Sequence, residues 1–252
     1  MKKIFIFDLD DTIIECQVNY CRVLAKFCFR LIEAFDYLTP SPKDILIKQN
    51  ETDLELMKKP FVKERFPTSL ILTYRHFHRE IYGNEEYDQK VEKDVFDIGM
   101  SVFDIIPKPL PKAIETLERL KKKGNILYLY SLGDKEVQMN KIKGNGLDKI
   151  FDKDHIFITR KKSIDELDKI YKAILKKYGY VSKDNIIMIG DSLKTDIIPA
   201  LEFGIKAIKI KANNWTNTYT DEYRYVEVQN IEHAIEAINK EKHQYDEYVV
   251  MG

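Results

Sequence analysis

Ile4-Phe5-Ile6-Phe7-Asp8-Leu9-Asp10-Asp11-Thr12 sets a wholly apolar run directly against three acidic residues and a threonine. A short apolar run bounded by polar residues reads as a buried parallel strand, and open α/β sheets bind ligands just beyond the carboxyl ends of such strands. Asp8 therefore falls at the edge where chemistry is concentrated. If the strand's alternation carries on past its end, Asp8 and Asp10 face one side while Leu9 packs away from it. Two carboxylates that close make a seat for a hard cation such as Mg2+, which takes oxygen ligands. The same residues also suit a plainer purpose, since Asp and Thr are favoured at turns and helix caps. Taken alone, the segment leaves both readings open.

Four further strand-like runs lie downstream: Ile126 to Tyr130, His155 to Thr159, Ile186 to Ile189 and Lys206 to Ile210. Helical patterns lie between them. Pro111 to Lys123 spaces Ile114, Leu117 and Leu120 for one face, opens on proline and stops at Gly124. Ser163 with Glu166 has the form of a capping box, and Leu167, Ile170, Tyr171, Ile174 and Tyr178 continue it as an apolar stripe up to Gly179. Asp196 to Phe203, closed by Gly204, and Ile231 to Ile238, after Asn230, read as two shorter helices. Strands alternating with helices of this length predict right-handed βαβ units, an α/β fold whose parallel sheet is covered on both faces.

The stretch from about Glu15 to Asp104 breaks that rhythm. Tyr20, Leu24, Phe27, Leu31 and Phe35, then Leu70, Tyr74, Phe77 and Ile81, recur at helical spacing with no strand between them. An all-helical insert at 16–104 thus divides a core formed by 1–15 and 105–252. Leu38-Thr39-Pro40-Ser41-Pro42 separates two of its helices, and Pro107-Lys108-Pro109 marks the return to the core. Its aromatic stripes read as packing surface.

The 252 residues carry 41 basic and 41 acidic side chains, a balance that offers no nucleic-acid footprint and points to small-molecule work. Cys16, Cys21 and Cys28 form no CxxC pair and cluster near one helix, which predicts reduced, packed thiols of a cytoplasmic protein without zinc. Met1-Lys2-Lys3 and the apolar run resemble a signal peptide until Asp8 cuts the run short, and no run approaches membrane-spanning length. His76, His78, His155, His233 and His243 show no ligand spacing.

The ends of the later strands decide between the two readings of the opening segment. Ser131-Leu132-Gly133-Asp134 brings a hydroxyl and a small turn to the second strand's end, donors that suit phosphate oxygens. Arg160-Lys161-Lys162 brings fixed cations to the third, ahead of the Ser163 cap. Gly190-Asp191-Ser192-Leu193-Lys194-Thr195-Asp196 brings two more acids to the fourth, with Asp191 placed as a third carboxylate around a metal. Each alone has an ordinary explanation in turns, solvated lysines or caps. Their joint occurrence, in order and all at strand ends, favours an active site.

With these residues in view, the chain resembles the haloacid dehalogenase superfamily in its phosphatase branch. Asp8-Leu9-Asp10-Asp11-Thr12 matches DxDxT, Ser131 the hydroxyl motif, one of Lys161 and Lys162 the basic motif, and Gly190-Asp191 with Asp196 the acidic motif. The resemblance spans nearly the whole chain, and the run from Met188 to Leu201, with Trp215 beyond the fifth strand, looks like one subgroup of these hydrolases. It implies a Rossmann-like three-layer core with a central parallel sheet, and identifies the insert with a helical C1-type cap. It also implies a Mg2+-dependent phosphomonoester hydrolase acting on a small phosphorylated metabolite, as a monomer or homodimer, with no nucleic acid or membrane partner.

In that reading Asp8 is the nucleophile that forms an aspartyl-phosphate, and Asp10 is first acid and then base. Asp8, Asp191 and the main-chain carbonyl of Asp10 hold the metal, and Asp196 orients that group from behind. Thr12, Ser131, Leu132 and a lysine bind phosphate; the segment runs about one helical turn longer than the common pattern, which leaves the register open between Lys162, the favoured residue, and Lys161. Leu132-Gly133-Asp134 also departs from the asparagine many relatives carry. Phosphomutase and dehalogenase chemistry are the alternatives within the superfamily, although a dehalogenase has no leaving-group oxygen for Asp10 to protonate. A receiver-like signalling module is the alternative outside it, disfavoured by the chain's length and the insert. Arg65, Phe66, Ser69 and Arg75 of the insert are candidates either for substrate contact or for packing.

Overall fold

The computed structural model describes residues 2–211 and 225–240; Trp215, His243 and the tail from Glu241 lie outside them. Six parallel strands form one sheet: β1 (Ile4–Phe7), β2 (Ile126–Leu132), β3 (Ile156–Thr159), β4 (Ile186–Gly190), β5 (Lys206–Ile210) and β6 (Val226–Val228). Their order is β3-β2-β1-β4-β5-β6, so β1 lies between β2 and β4, with Ile4 facing Ile126 on one side and Ile186 on the other. Sequence patterning missed β6, whose three residues Val-Glu-Val are too few to show a period.

The strands' period of two sorts the core into two layers. Phe5, Phe7, Leu127, Leu129, Ile187 and Ile189 pack with Leu117, Ile142 and Ile235 of α5 (Ala113–Lys122), α6 (Lys135–Gly144) and α9 (Ile231–Lys240). Ile4, Ile6, Tyr128, Tyr130 and Met188 pack on the other face with Leu167, Ile170 and Ala200 of α7 (Ile164–Tyr178) and α8 (Ile198–Phe203). Both faces of the central strands β1 and β4 are covered, which is why these strands read as continuous apolar runs, whereas the edge strands β3 and β6 are half-buried. The result is the α/β, three-layer, Rossmann-like arrangement expected.

Several local expectations are revised. Asp196 to Phe203 is two elements, a single π-helical turn at Leu193–Ile197 followed by α8. The third strand begins at Ile156, because His155 closes a preceding helical turn and gives its Nδ1 to the Leu127 carbonyl at 3.0 Å. Ser163 makes half of its capping box: its hydroxyl accepts from the Glu166 amide, while its own amide donates to the Tyr130 hydroxyl. Helix α6 had no apolar stripe to announce it and is opened instead by Asp134, whose carboxylate accepts from the Glu136 and Val137 amides. Cys21 is exposed, against the expectation of three packed thiols; Cys16 is buried, and all three are free.

The chain forms two compact units, Met1–Gln17 with Pro107–Gly252, and Val18–Ile106. In the second, α1 (Gln17–Phe35), α2 (Pro42–Leu56), α3 (Arg65–Tyr82) and α4 (Gln89–Met100) enclose a core of Val23, Phe27, Leu31, Leu70, Tyr74 and Val95. Gly99 permits close packing there, since a Cβ would lie 2.7 Å from the Pro67 Cα. Phe66 and Ser69 are buried, Arg65 pairs with Asp53 at 3.2 Å, and Arg75 grips both oxygens of Glu92. Among the described residues no helix is long and apolar enough to cross a membrane.

Candidate active site

The ladder of β1 runs one residue past the strand, where the Asp8 amide donates to the Ile189 carbonyl at 2.9 Å. This fixes Asp8 at the carboxyl edge of the sheet, next to the end of β4. The chain then turns tightly: Ile13 and Ile14 both donate to the Leu9 carbonyl, and Asp11 takes a left-handed φ of 55°. Asp has a side chain short enough to tolerate that conformation. The Asp11 carboxylate accepts from the Cys16 and Gln17 amides at 2.8 and 2.9 Å, so the third acid caps the start of α1. The plainer reading of the acidic segment therefore holds for Asp11, while Asp8 and Asp10 face the sheet's edge.

Asp8 is buried and held at both oxygens. Lys162 Nζ donates to Oδ1 at 2.5 Å, and the Thr12 hydroxyl donates to Oδ2 at 3.2 Å. The same Lys162 Nζ reaches Asp196 Oδ1 at 2.5 Å and lies 5.2 Å from the centre of the Tyr130 ring. Lys161 is exposed, with its carbonyl bonded to the Thr159 hydroxyl, so the geometry brings Lys162 and not Lys161 to Asp8. Asp196 Oδ2 accepts from the Ser192 amide at 3.1 Å, which ties the π-helical turn to the end of β4. A Cβ on Gly190 would meet the Asp196 Cγ at 2.5 Å, so only glycine admits this approach. Gly190→Ala is accordingly expected to cost about 1–3 kcal/mol, read as a lowered melting temperature; unchanged melting would show that Asp196 moves aside freely.

Asp8, Asp191 and Asp196 each bring a carboxylate oxygen within 4.8 Å of the others. Burial pushes the Asp8 carboxyl up to about 7; Lys162 pulls against the rise, while Asp196 and Asp10 add to it. Burial raises Asp191 well above the usual carboxylate range, and the charges of Asp8 and Asp196 add to that. Lys162 is held charged: burial disfavours its charge, but Asp196 and Asp8 outweigh that and raise its pKa. Three crowded acids share this one buried lysine. An all-oxygen donor set carrying surplus negative charge fits a hard divalent cation such as Mg2+. A second candidate group, Asp152, Asp154 and His155, is exposed at its acids, and its histidine already serves the Leu127 carbonyl.

Asp10 lies beside this cluster in a different environment. Burial would raise its pKa, but Lys141 and then hydrogen bonds from Cys16 and Gln138 outweigh that and leave it lowered. Gln138 and Lys141 were not among the residues singled out in the sequence, and Cys16 was read only as a packed thiol. No motif carries them, and the one available signal was polar side chains at helical spacing behind the Asp134 cap. Ser131 is fully buried at the end of β2, where its hydroxyl oxygen meets Gln138 Nε2 at 2.6 Å; the Leu132 carbonyl meets the same nitrogen at 2.9 Å. A Cβ on Gly133 would lie 2.9 Å from Gln138 Cδ, so this glycine makes room for the amide.

Glyceraldehyde 3-phosphate phosphatase of Pyrococcus furiosus is 29% identical over 211 residues, covering 83% of this chain and 80% of that protein. Among solved structures, a haloacid dehalogenase-like family hydrolase from Xanthomonas campestris superposes with a TM-score of 0.69 at 19% identity, covering 96% of this chain and 95% of the other. The putative HAD-hydrolase YfnB from Bacillus subtilis, solved bound to magnesium, gives 0.65 at 19% identity over 94% and 99% of the two chains. Residues 2–204 match the haloacid dehalogenase-like hydrolase family, and the chain is a member of that family of hydrolases.

Proposed function

We propose that the protein is a Mg2+-dependent phosphomonoester hydrolase that acts on a small phosphorylated metabolite in the cytoplasm through an aspartyl-phosphate at Asp8. The observation that carries this reading is the meeting of Asp8, Lys162 and Asp191 at the carboxyl edge of the sheet, with Asp10 two residues on from Asp8. A hard cation on the acids would favour the charged form of Asp8 that attacks phosphorus, and Asp10, held by Lys141 and Gln138 on separate oxygens, takes up the proton it delivers before the first step.

An Asp8 oxygen attacks phosphorus, and the ester P–O bond breaks with its electrons passing to the leaving oxygen, which takes a proton from Asp10. Water then attacks the aspartyl-phosphate, giving its proton to Asp10, and the Asp8 carboxylate is released with inorganic phosphate. Thr12 donates its hydroxyl to Asp8 Oδ2 and so fixes the orientation of the carboxylate. Lys162 and the Ser131 hydroxyl would meet charge on the equatorial phosphate oxygens, where electrostatic stabilisation contributes to a barrier reduction of order 20 kcal/mol. Asp8, Asp191 and the Asp10 carbonyl would hold Mg2+, with Asp196 fixing Lys162 and the β4 turn behind them. A bound Mg2+ supplies charge neutralisation between carboxylate and phosphate and orients the phosphoryl group.

Asp10 also separates this reading from dehalogenation, since a departing halide needs no proton. The relative from Pyrococcus furiosus makes a triose phosphate a sensible first substrate beside a generic aryl phosphate. Phosphate release from both is expected with Mg2+, lost on chelation and restored by added Mg2+, with no halide released from 2-chloropropionate. Turnover that ignores chelation, or halide release faster than phosphate release, would sink the assignment.

A further inference from the structure

Asp10 is held by three donors from two parts of the core. Its Oδ1 accepts from the Cys16 thiol at 2.8 Å and the Lys141 ammonium at 2.9 Å, and its Oδ2 accepts from the Gln138 amide at 2.8 Å. A carboxylate offers about four lone-pair positions, two on each oxygen. Oδ1 is filled, and one position on Oδ2 is left. Gln138 and Lys141 stand three residues apart on α6 and so share one face of that helix.

Gln138 does more than hold Asp10. Its Nε2 has two hydrogens and three acceptors in reach: Asp10 Oδ2, Ser131 Oγ and the Leu132 carbonyl. It therefore links the acid/base to the hydroxyl at the end of β2. The arrangement is kept at a cost, because Gln138 Oε1 is buried without a hydrogen-bond partner and Gly133 has to be a glycine to admit the side chain. Folding alone gives no reason to bury an amide there with half of it unpaired.

We propose that Gln138 and Lys141 are positioning residues that clamp Asp10 and leave a single site, on Oδ2, to carry the proton exchanged with the leaving group and then with water. The proposal rests on the phosphatase reading above. In the first step the proton leaves Asp10 Oδ2 for the ester oxygen as the P–O bond breaks; in the second, a water proton returns to Oδ2 as the new P–O bond forms. Neither step needs a further reactant. Fixing the carboxylate's rotamer keeps that one lone pair aimed at the reacting oxygen, and a loosened carboxylate would lose orientation and not acidity alone.

The test uses leaving groups of different basicity. An acidic phenolate departs without a proton, whereas an alkoxide needs the proton of Asp10, and kcat/KM reports the steps up to formation of the aspartyl-phosphate. For Gln138→Met and Lys141→Met, the ratio of kcat/KM for an acidic aryl phosphate to that for an alkyl phosphate is expected to rise ~10-fold or more over wild type, with Asp10→Asn setting the upper limit. Equal losses on both substrates, or no loss on either, would overturn the clamp. Methionine keeps much of the volume of the lysine stem, so Lys141→Met decides the matter if Gln138→Met does not fold. Wild-type protein that hydrolyses neither ester with Mg2+, or Asp8→Asn that still does, identifies failure of the phosphatase reading instead.

Discussion

Asp8→Asn is expected to abolish turnover, by on the order of 10^4-fold or more in kcat, while leaving the protein at least as stable as wild type. The loss of activity has a chemical origin: an amide oxygen is a poor nucleophile and cannot be regenerated from an acyl-phosphate as a carboxylate can. The stability comes from burial. Asp8 is 5% exposed, and its carboxyl is pushed up to about 7 by burial against the pull of Lys162. A neutral isostere removes that desolvation penalty and part of the repulsion from Asp191 and Asp196. Lys162 keeps a partner at Asp196. The measurement is a paired one, phosphate release and thermal melting on the same preparation. Residual activity of a tenth of wild type would remove Asp8 from the nucleophile's role, and a lower melting temperature would show that the Asp8–Lys162 pair stabilises the fold more than its burial costs.

Lys162→Met is expected to harm both properties. Methionine fills much the same volume without charge, so the variant isolates the ammonium. Its removal leaves Asp8, Asp191 and Asp196 crowded within reach of one another and without the buried cation. Breaking a buried pair by deleting one partner costs about 3–5 kcal/mol, because the surviving charge stays desolvated. That cost should shrink when Mg2+ is added, since a ligand that binds only the folded state stabilises it by mass action. Melting with and without Mg2+ therefore separates two effects, and kcat/KM should remain down about 10^2-fold or more even with saturating metal, in line with the loss of one charge-stabilising donor. A melting loss that is the same with and without Mg2+ would argue that Asp8 and Asp191 do not form a cation site.

The strand ends were legible because a parallel strand covered on both faces must be apolar throughout, so the first polar residue beyond it marks an edge. Asp8 and Asp191 could be picked out for that reason, and Ser131 as a hydroxyl set into the last residues of β2. Lys161 and Lys162 could not be told apart in the same way, because the choice depends on how the chain leaves β3; the Thr159 hydroxyl holds the Lys161 carbonyl and Lys162 turns inward. Helix α6 escaped notice for the opposite reason. Two of its inward-facing side chains are Gln138 and Lys141, polar residues buried at the site and of no use to a hydrophobic pattern. Local rules fail where a side chain is kept for what it binds and not for what it packs against. Ser163 shows the same effect on a smaller scale, since its amide goes to Tyr130 and not to the glutamate the capping-box rule supplies.

The placement of β1 bears on how the chain reaches this state. The strand that carries Asp8 is made before both of its neighbours, and Ile4 waits for partners at Ile126 and Ile186. Until those segments emerge, Ile-Phe-Ile-Phe has two unsatisfied edges and nowhere to hide, the kind of segment that invites aggregation. Closing the long loops to β2 and β4 has an entropic cost that only the finished centre of the sheet repays. A ribosome-bound fragment ending before β4 thus leaves one edge of β1 open, and it lacks the Asp191 and Asp196 that complete the acidic cluster.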